Sequence, residues 1–122
     1  YLSNFSSIAI NEILSIKGST VAMSNWKLCT LEIDNPIPEL ELTKLPKDWN
    51  KRPASKTTKD IGTIWAQQMK SVCLKVPSAR LNLSAYSGEH NLLVNPLHPD
   101  FRTVVHFINL EDFNFQLNVA HP

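Results

Sequence analysis

The stretch Asn91-Leu92-Leu93-Val94-Asn95-Pro96-Leu97-His98-Pro99-Asp100-Phe101 carries the reading of the fold. Asn91–Val94 is an apolar run of strand length. Asn95-Pro96 stops it, because proline has no amide hydrogen to give to a ladder. Pro99 then precedes Asp100-Phe101, a one-turn helix or a loop. Upstream, Val72–Val76 reads as a buried strand ended by Pro77-Ser78, with Tyr86-Ser87-Gly88-Glu89 as a turn region between the two runs. Downstream, Thr103–Ile108 and Phe113–Val119 read as two further strands joined by a turn at Asn109–Asp112. The second alternates Phe113, Phe115, Leu117 and Val119.

Working towards the start, Ser55 or Thr57 caps a helix of about Thr58–Lys70. Its inner face carries Ile61, Ile64, Trp65 and Met69 at helical spacing, and Trp65 is expected in the core. Leu45-Pro46-Lys47-Asp48-Trp49-Asn50 and the residues to Pro53 form an irregular loop. Leu40–Leu42 is a short edge-like strand, and Pro36 and Pro38 mark another loop. Trp26–Ile33 is a strand in which Leu28, Thr30 and Glu32 alternate against Cys29, Leu31 and Ile33. Before it, a helix capped by Ser3, Ser6 or Ser7 runs to about Ile16 and stops at Gly18. Phe5, Ile8, Ile10, Ile13, Leu14 and Ile16 cover more than one of its faces, so it should be buried on most sides. Two helices with five to six short strands make an α+β domain.

Composition narrows the function classes. The chain has 122 residues, enough for one domain, with 43% apolar and 19% charged residues, so it can bury a core. Its net charge of +1 argues against direct nucleic-acid binding, which usually shows a basic excess. No apolar run approaches the roughly 18 residues of a membrane helix. Cys29 and Cys73 form neither a metal pattern nor a disulfide framework, and read as reduced core thiols of a cytoplasmic protein. No signal peptide opens the sequence. The first residue is Tyr and an apolar helix follows within a few positions, so the sequence is expected to be a fragment, or to lack an N-terminal segment that was removed or lies outside this chain.

No Walker, Rossmann, zinc or nucleophile-elbow motif is present, and no metal is expected. His90, His98, His106 and His121 are scattered without ligand spacing, and only His98, between two prolines, has a motif-like setting. Glu12 is the odd residue. Glutamate is rarely buried unless paired, and its helix offers little wet surface. It either lies on a wet strip beside Asn11 and Ser15 or is a carboxylate aimed into a pocket, where functional acids are often held. Ser78 follows a strand and a proline. Without His or Asp at triad spacing it is not a hydrolytic nucleophile, though its hydroxyl can serve a site mouth.

Taken together, several stretches resemble the RES-domain toxins, the toxic half of RES–Xre toxin–antitoxin systems. They are Tyr1-Leu2-Ser3, Ala9 with Glu12-Ile13-Leu14, Leu45-Pro46-Lys47-Asp48-Trp49, Ile61-Gly62-Thr63-Ile64-Trp65, Leu74-Lys75-Val76-Pro77-Ser78-Ala79 and, most specifically, Asn91–Phe101. Their order spans nearly the whole chain, which is therefore expected to be a single RES domain over residues 1–122 with the N-terminal part of the family domain absent.

The resemblance implies an ADP-ribosyltransferase-like fold of two packed, small, mostly antiparallel sheets with flanking helices. It implies NAD+ as substrate, cleaved at the nicotinamide–ribose bond by hydrolysis or phosphorolysis. Two alternatives are transfer of ADP-ribose to a protein, and an inactive RES-like module that binds an antitoxin. It implies an Xre-family helix-turn-helix antitoxin as partner and leaves a homodimer open. Carried over by position, Tyr1, Glu12 and Ser78 match the family's site tyrosine, glutamate and serine, as catalytic and NAD-binding residues. The family also has an arginine in a Gly-Arg-Trp-Asn-like segment upstream of the tyrosine. None of the local cations Arg80, Lys75 and Lys17 matches it.

Overall fold

A computed structural model of the chain describes residues 1–115 and 117. The elements run β1 (Leu2–Ser3), α1 (Ser6–Lys17), β2 (Trp26–Ile33), α2 (Lys56–Gln68), β3 (Cys73–Val76), β4 (Asn91–Val94), α3 (Phe101–Val104) and β5 (Val105–Phe113), with short 3-10 turns between some of them. They make an α+β fold with two antiparallel sheets, one ordered β1-β4-β3 and the other pairing β2 with β5. Among the described residues no helix is long and apolar enough to cross a membrane.

The three-stranded sheet sits at the centre because its strands are short and apolar. β4 pairs with β1 at Leu2–Leu92 and Ser3–Asn91, and with β3 from Cys73–Val94 to Val76–Asn91. Asn91 therefore faces Ser3 on one side and Val76 on the other. Val72, Cys73 and Leu92 form the core, and Ile33, Val104 and Val105 pack on it from the second sheet and α3. A single parallel bridge joins Glu39 to Lys75, with Leu40 N–H donating to the Lys75 carbonyl at 2.9 Å. The edge strand expected at Leu40–Leu42 is thus displaced towards the start, and Leu42–Lys44 instead forms a 3-10 turn.

Helix α1 stops where expected. Gly18 takes φ +57°, open to glycine at little strain, and its N–H returns to the Leu14 carbonyl. Its start differs, with Phe5 at the N-cap and no capping side chain. Ser3, an expected cap, donates to Asn91 Oδ1 at 2.6 Å instead. The helix is also less enclosed than its composition suggests. Phe5 and Ile16 are exposed, and the buried residues are Ile8 and Glu12, one turn apart on the inner face. Helix α2 begins with Ser55 capping the Thr58 N–H at 3.2 Å and ends before Met69, which is left-handed at φ 54°. Its inner face is narrower than expected: Ile64 and Met69 are exposed, and Trp65 is half-buried with its indole N–H on Ser71 Oγ.

The second sheet brings the largest corrections. The turn expected at Asn109–Asp112 lies inside β5, a continuous strand paired along β2 from Val105–Ile33 to Phe113–Trp26. The ladder slips between Thr30 and Leu31. That irregularity shifts the two-residue period, so Trp26 and Leu28 share half-burial with Leu31 and Ile33, while Cys29 is exposed instead of core. Cys73 is buried as expected. Most of the strand expected at Phe113–Val119 lies outside the described residues, as does His121.

Candidate active site

Three elements of the central sheet and one helix place polar side chains on a common point. Tyr1 and Ser3 come from β1 and its lead-in, Asn91 opens β4, and Ser78 lies two residues past the end of β3, after the proline that terminates the strand. Glu12 reaches down from α1. Its Oε1 accepts from Ser78 Oγ at 2.6 Å and from Asn91 Nδ2 at 2.9 Å. Its Oε2 accepts from Arg52 Nη2 at 2.9 Å. Asn91 Nδ2 also donates to the Tyr1 hydroxyl at 2.8 Å.

Tyr1, Glu12 and Ser78 thus converge although Glu12 and Ser78 are 66 positions apart. Tyr1 meets Glu12 through the shared amide of Asn91. Glu12 is 7% exposed, which excludes the wet-strip reading, and Ser78 is 2% exposed. A carboxylate at this depth would be strongly disfavoured alone. Two neutral donors and a guanidinium supply what water would have given. Ser78 is held in turn, because its Oγ accepts the Arg80 N–H at 3.2 Å. Tyr1 is 69% exposed as a residue, yet its hydroxyl end reaches the fully buried Asn91. Burial, then the negative charge of Glu12, raises its phenol above the ordinary tyrosine value, partly offset by the Asn91 hydrogen bond and by Arg52 and Arg80.

Two cavities meet at Tyr1. One of about 650 Å³ is bordered by Tyr1, Ser3, Glu12, Lys75 and His90. The other, of about 590 Å³, is bordered by Tyr1, Trp49, Lys51, Arg52, Lys59 and Ile61, among others. Both volumes suit a small organic molecule. A deeply held carboxylate beside such space can stabilise positive charge that develops on a bound sugar.

Asn91 and Arg52 escaped the sequence reading. Asn91 opens the most informative stretch of the chain, but there it reads as a strand boundary. Its signal was a polar residue directly ahead of Leu92-Leu93-Val94, facing two strand neighbours at once. Arg52 sits in an irregular loop, where no periodicity points a side chain anywhere. Of the local cations considered, Arg80 donates Nη2 to the Asn50 carbonyl at 2.7 Å, and Lys75 pairs with Glu39 at 3.9 Å. Lys17 is exposed in the last turn of α1.

His98 and His90 serve the frame. His98 Nδ1 accepts the Asp100 N–H at 3.0 Å, so Nε2 carries the proton and donates to the Met69 carbonyl at 2.9 Å, tying the start of α3 to the end of α2. His90 Nδ1 lies 2.8 Å from the Ser87 carbonyl. Among the described residues no group of three or more His, Cys, Asp or Glu side chains comes together as a metal site.

Comparison with known proteins bears on the family of the chain. The chain is 32% identical over 114 residues to "Toxin Res" of Photorhabdus laumondii, covering 93% of this chain and 70% of that protein. It is 34% identical over 116 residues to "Toxin Res" of Yersinia enterocolitica, covering 94% and 73%. A third relative, the "Prs ADP-ribosylating toxin" of a Sphingobium species, is 37% identical over 60 residues, covering 49% of this chain and 34% of that protein. The RES domain family itself matches residues 1–118, and with a match of that extent around the Tyr1–Asn91–Glu12–Ser78 cluster the chain belongs to the RES domain family.

Proposed function

We propose that the chain is the toxin of a toxin–antitoxin pair, acts in the cytoplasm, and cleaves the nicotinamide–ribose bond of NAD+, with Glu12, Tyr1 and Ser78 as its catalytic and NAD-binding residues. The observation that carries the reading is the Glu12 carboxylate, almost wholly buried, held at both oxygens and bordering a cavity of small-molecule size. The family match and the names of the two longer relatives support the toxin role.

The chemistry follows from the bond. The C1′–N bond breaks with its electron pair passing to the nicotinamide ring nitrogen, whose positive charge makes it a good leaving group. Positive charge grows on the ribose C1′ and ring oxygen, and a fixed carboxylate stabilises it where it grows. An oxygen of water or phosphate then bonds to C1′; with water, a proton is released. In this reading Ser78 and Asn91 fix the direction of Glu12, and the Tyr1 ring flanks the nicotinamide ribose. An Xre-family helix-turn-helix antitoxin would neutralise the toxin.

The test incubates the purified protein with NAD+, with and without phosphate, and identifies the products. Nicotinamide with ADP-ribose indicates hydrolysis; nicotinamide with phosphorylated ADP-ribose indicates phosphorolysis. Glu12→Gln should lower kcat by about 10²–10³ while the fold is kept, the scale set by losing one preorganised charge-stabilising group. Undiminished turnover by Glu12→Gln removes Glu12 from the mechanism. No nicotinamide release by the folded wild type favours a binding module instead. A second reading, transfer of ADP-ribose to a protein, is favoured by the name of the Sphingobium relative. Label appearing on a protein acceptor would select it.

A further inference from the structure

Arg52 belongs to the Glu12 cluster and to the second cavity at once. Its Nη2 lies 2.9 Å from Glu12 Oε2, and its side chain is 41% exposed against 9% for that of Glu12. The guanidinium is therefore anchored on the carboxylate at Nη2, while the partly exposed Arg52 side chain also borders the 590 Å³ cavity. Lys51 and Lys59 border the same cavity, and no described aspartate or glutamate does. Trp49, Leu45 and Ile61 add an aromatic and apolar wall. Three cations, no acid and an apolar wall are complementary to a molecule with an anionic group attached to a flat apolar ring.

We infer that Arg52 is the specificity-determining residue of this site, exchanged between two anions: the Glu12 carboxylate and the diphosphate of a nucleotide substrate. The inference rests on the proposed cleavage of NAD+ and names the contact that would select a dinucleotide. A diphosphate carries two negative charges against one on Glu12, and it offers the planar fork of arginine a bidentate partner. With Lys51 and Lys59 beside it, it competes for Arg52. Moving the guanidinium onto phosphate takes the neutralising charge off Oε2. The carboxylate is then free to face the developing positive charge of the ribose. A nucleoside without phosphates leaves Arg52 on Glu12, so it binds less tightly and reacts more slowly once bound. The exchange also explains how a site whose matched residues Tyr1, Glu12 and Ser78 include no cation accepts an anionic substrate.

The experiment measures binding of ADP and of adenosine by calorimetry to the wild type, Arg52→Gln and Arg52→Lys. Separately, it measures turnover of NAD+ and of nicotinamide riboside. ADP should bind the wild type at least about tenfold more tightly than adenosine. Arg52→Gln should weaken ADP by about 10- to 100-fold, as expected for loss of a charge-assisted contact, with adenosine unchanged. Arg52→Lys, which keeps the charge but not the fork, should fall between. It is the deciding variant if Arg52→Gln does not fold. In turnover, Arg52→Gln should lower kcat/KM for NAD+ more than for nicotinamide riboside by at least tenfold. ADP affinity unchanged in both variants, or ADP and adenosine weakened alike, overturns the inference. If ADP binding depends on Arg52 but the wild type leaves NAD+ intact, the diphosphate contact stands and the proposed reaction falls.

Discussion

Replacing Asn91 by alanine isolates the amide on which the cluster turns. The side chain is fully buried and all of its polar atoms are engaged: Nδ2 on Glu12 Oε1 and on the Tyr1 hydroxyl, Oδ1 under the Ser3 hydroxyl. A hydrogen bond to a charged group contributes about 1.5–3 kcal/mol and one between neutral groups about 0.5–1.5 kcal/mol. Loss of the Glu12, Tyr1 and Ser3 bonds should thus destabilise the fold by about 2.5–6 kcal/mol, a large part of the 5–15 kcal/mol typical of a domain. Urea unfolding with an unchanged m-value would measure this directly. The near-isosteric Asn91→Asp supplies a control of sign. It sets a second carboxylate against Glu12, so that variant should gain stability as pH falls and one proton comes to be shared between the two. A loss under about 1 kcal/mol for Asn91→Ala would show that the amide does not hold the cluster.

Two further outcomes are expected. Phenol absorbance should show both tyrosines ionising above the free value near pH 10, the Tyr1 proton being assigned by its loss in Tyr1→Phe. Because the folded form binds that proton more tightly than the unfolded one, stability should fall as pH rises from about 10 towards the raised value. Tyr86 is also raised by burial, so a double variant is needed for a clean baseline. With a thiol reagent at neutral pH, exposed Cys29 should react fast; buried Cys73, its thiol raised by desolvation, should react only on unfolding. Two fast thiols would contradict this placement of β3.

The parts of the fold visible in the sequence are those whose local and tertiary demands agree. Val72–Val76 and Asn91–Val94 are apolar, short and stopped by proline or asparagine, and they become the paired centre of the molecule. Gly18 ends α1 because few other residues take its φ. Only the middle of β5 was hidden, because Asn109, Glu111 and Asp112 carry turn chemistry locally, yet β2 offers a full ladder of partners, and pairing overrides propensity. Among the described residues β5 is exposed between its two ends, Phe107, Ile108 and Leu110 included, so no clean alternation marked it. At the site, the spatial meeting of Glu12 and Ser78 was legible only through family resemblance. Arg52 was not legible at all, since it meets Glu12 across 40 positions from a loop without periodicity.

The order β1-β4-β3 has a consequence in time. β1 precedes β4 in sequence, and its one sheet neighbour among the described residues is β4. The Tyr1–Asn91 contact spans 90 positions. At roughly 5–20 residues per second, a ribosome needs about 5–18 s to make the chain between them, and longer for β4 to clear the exit tunnel. Throughout that interval α1 has no completed sheet to lie on, and Glu12 lacks the amide that helps to fix it. The polar cluster therefore cannot be complete before β4 has been made. A nascent chain stopped before β4 carries the glutamate and the serine without the amide that joins them to Tyr1.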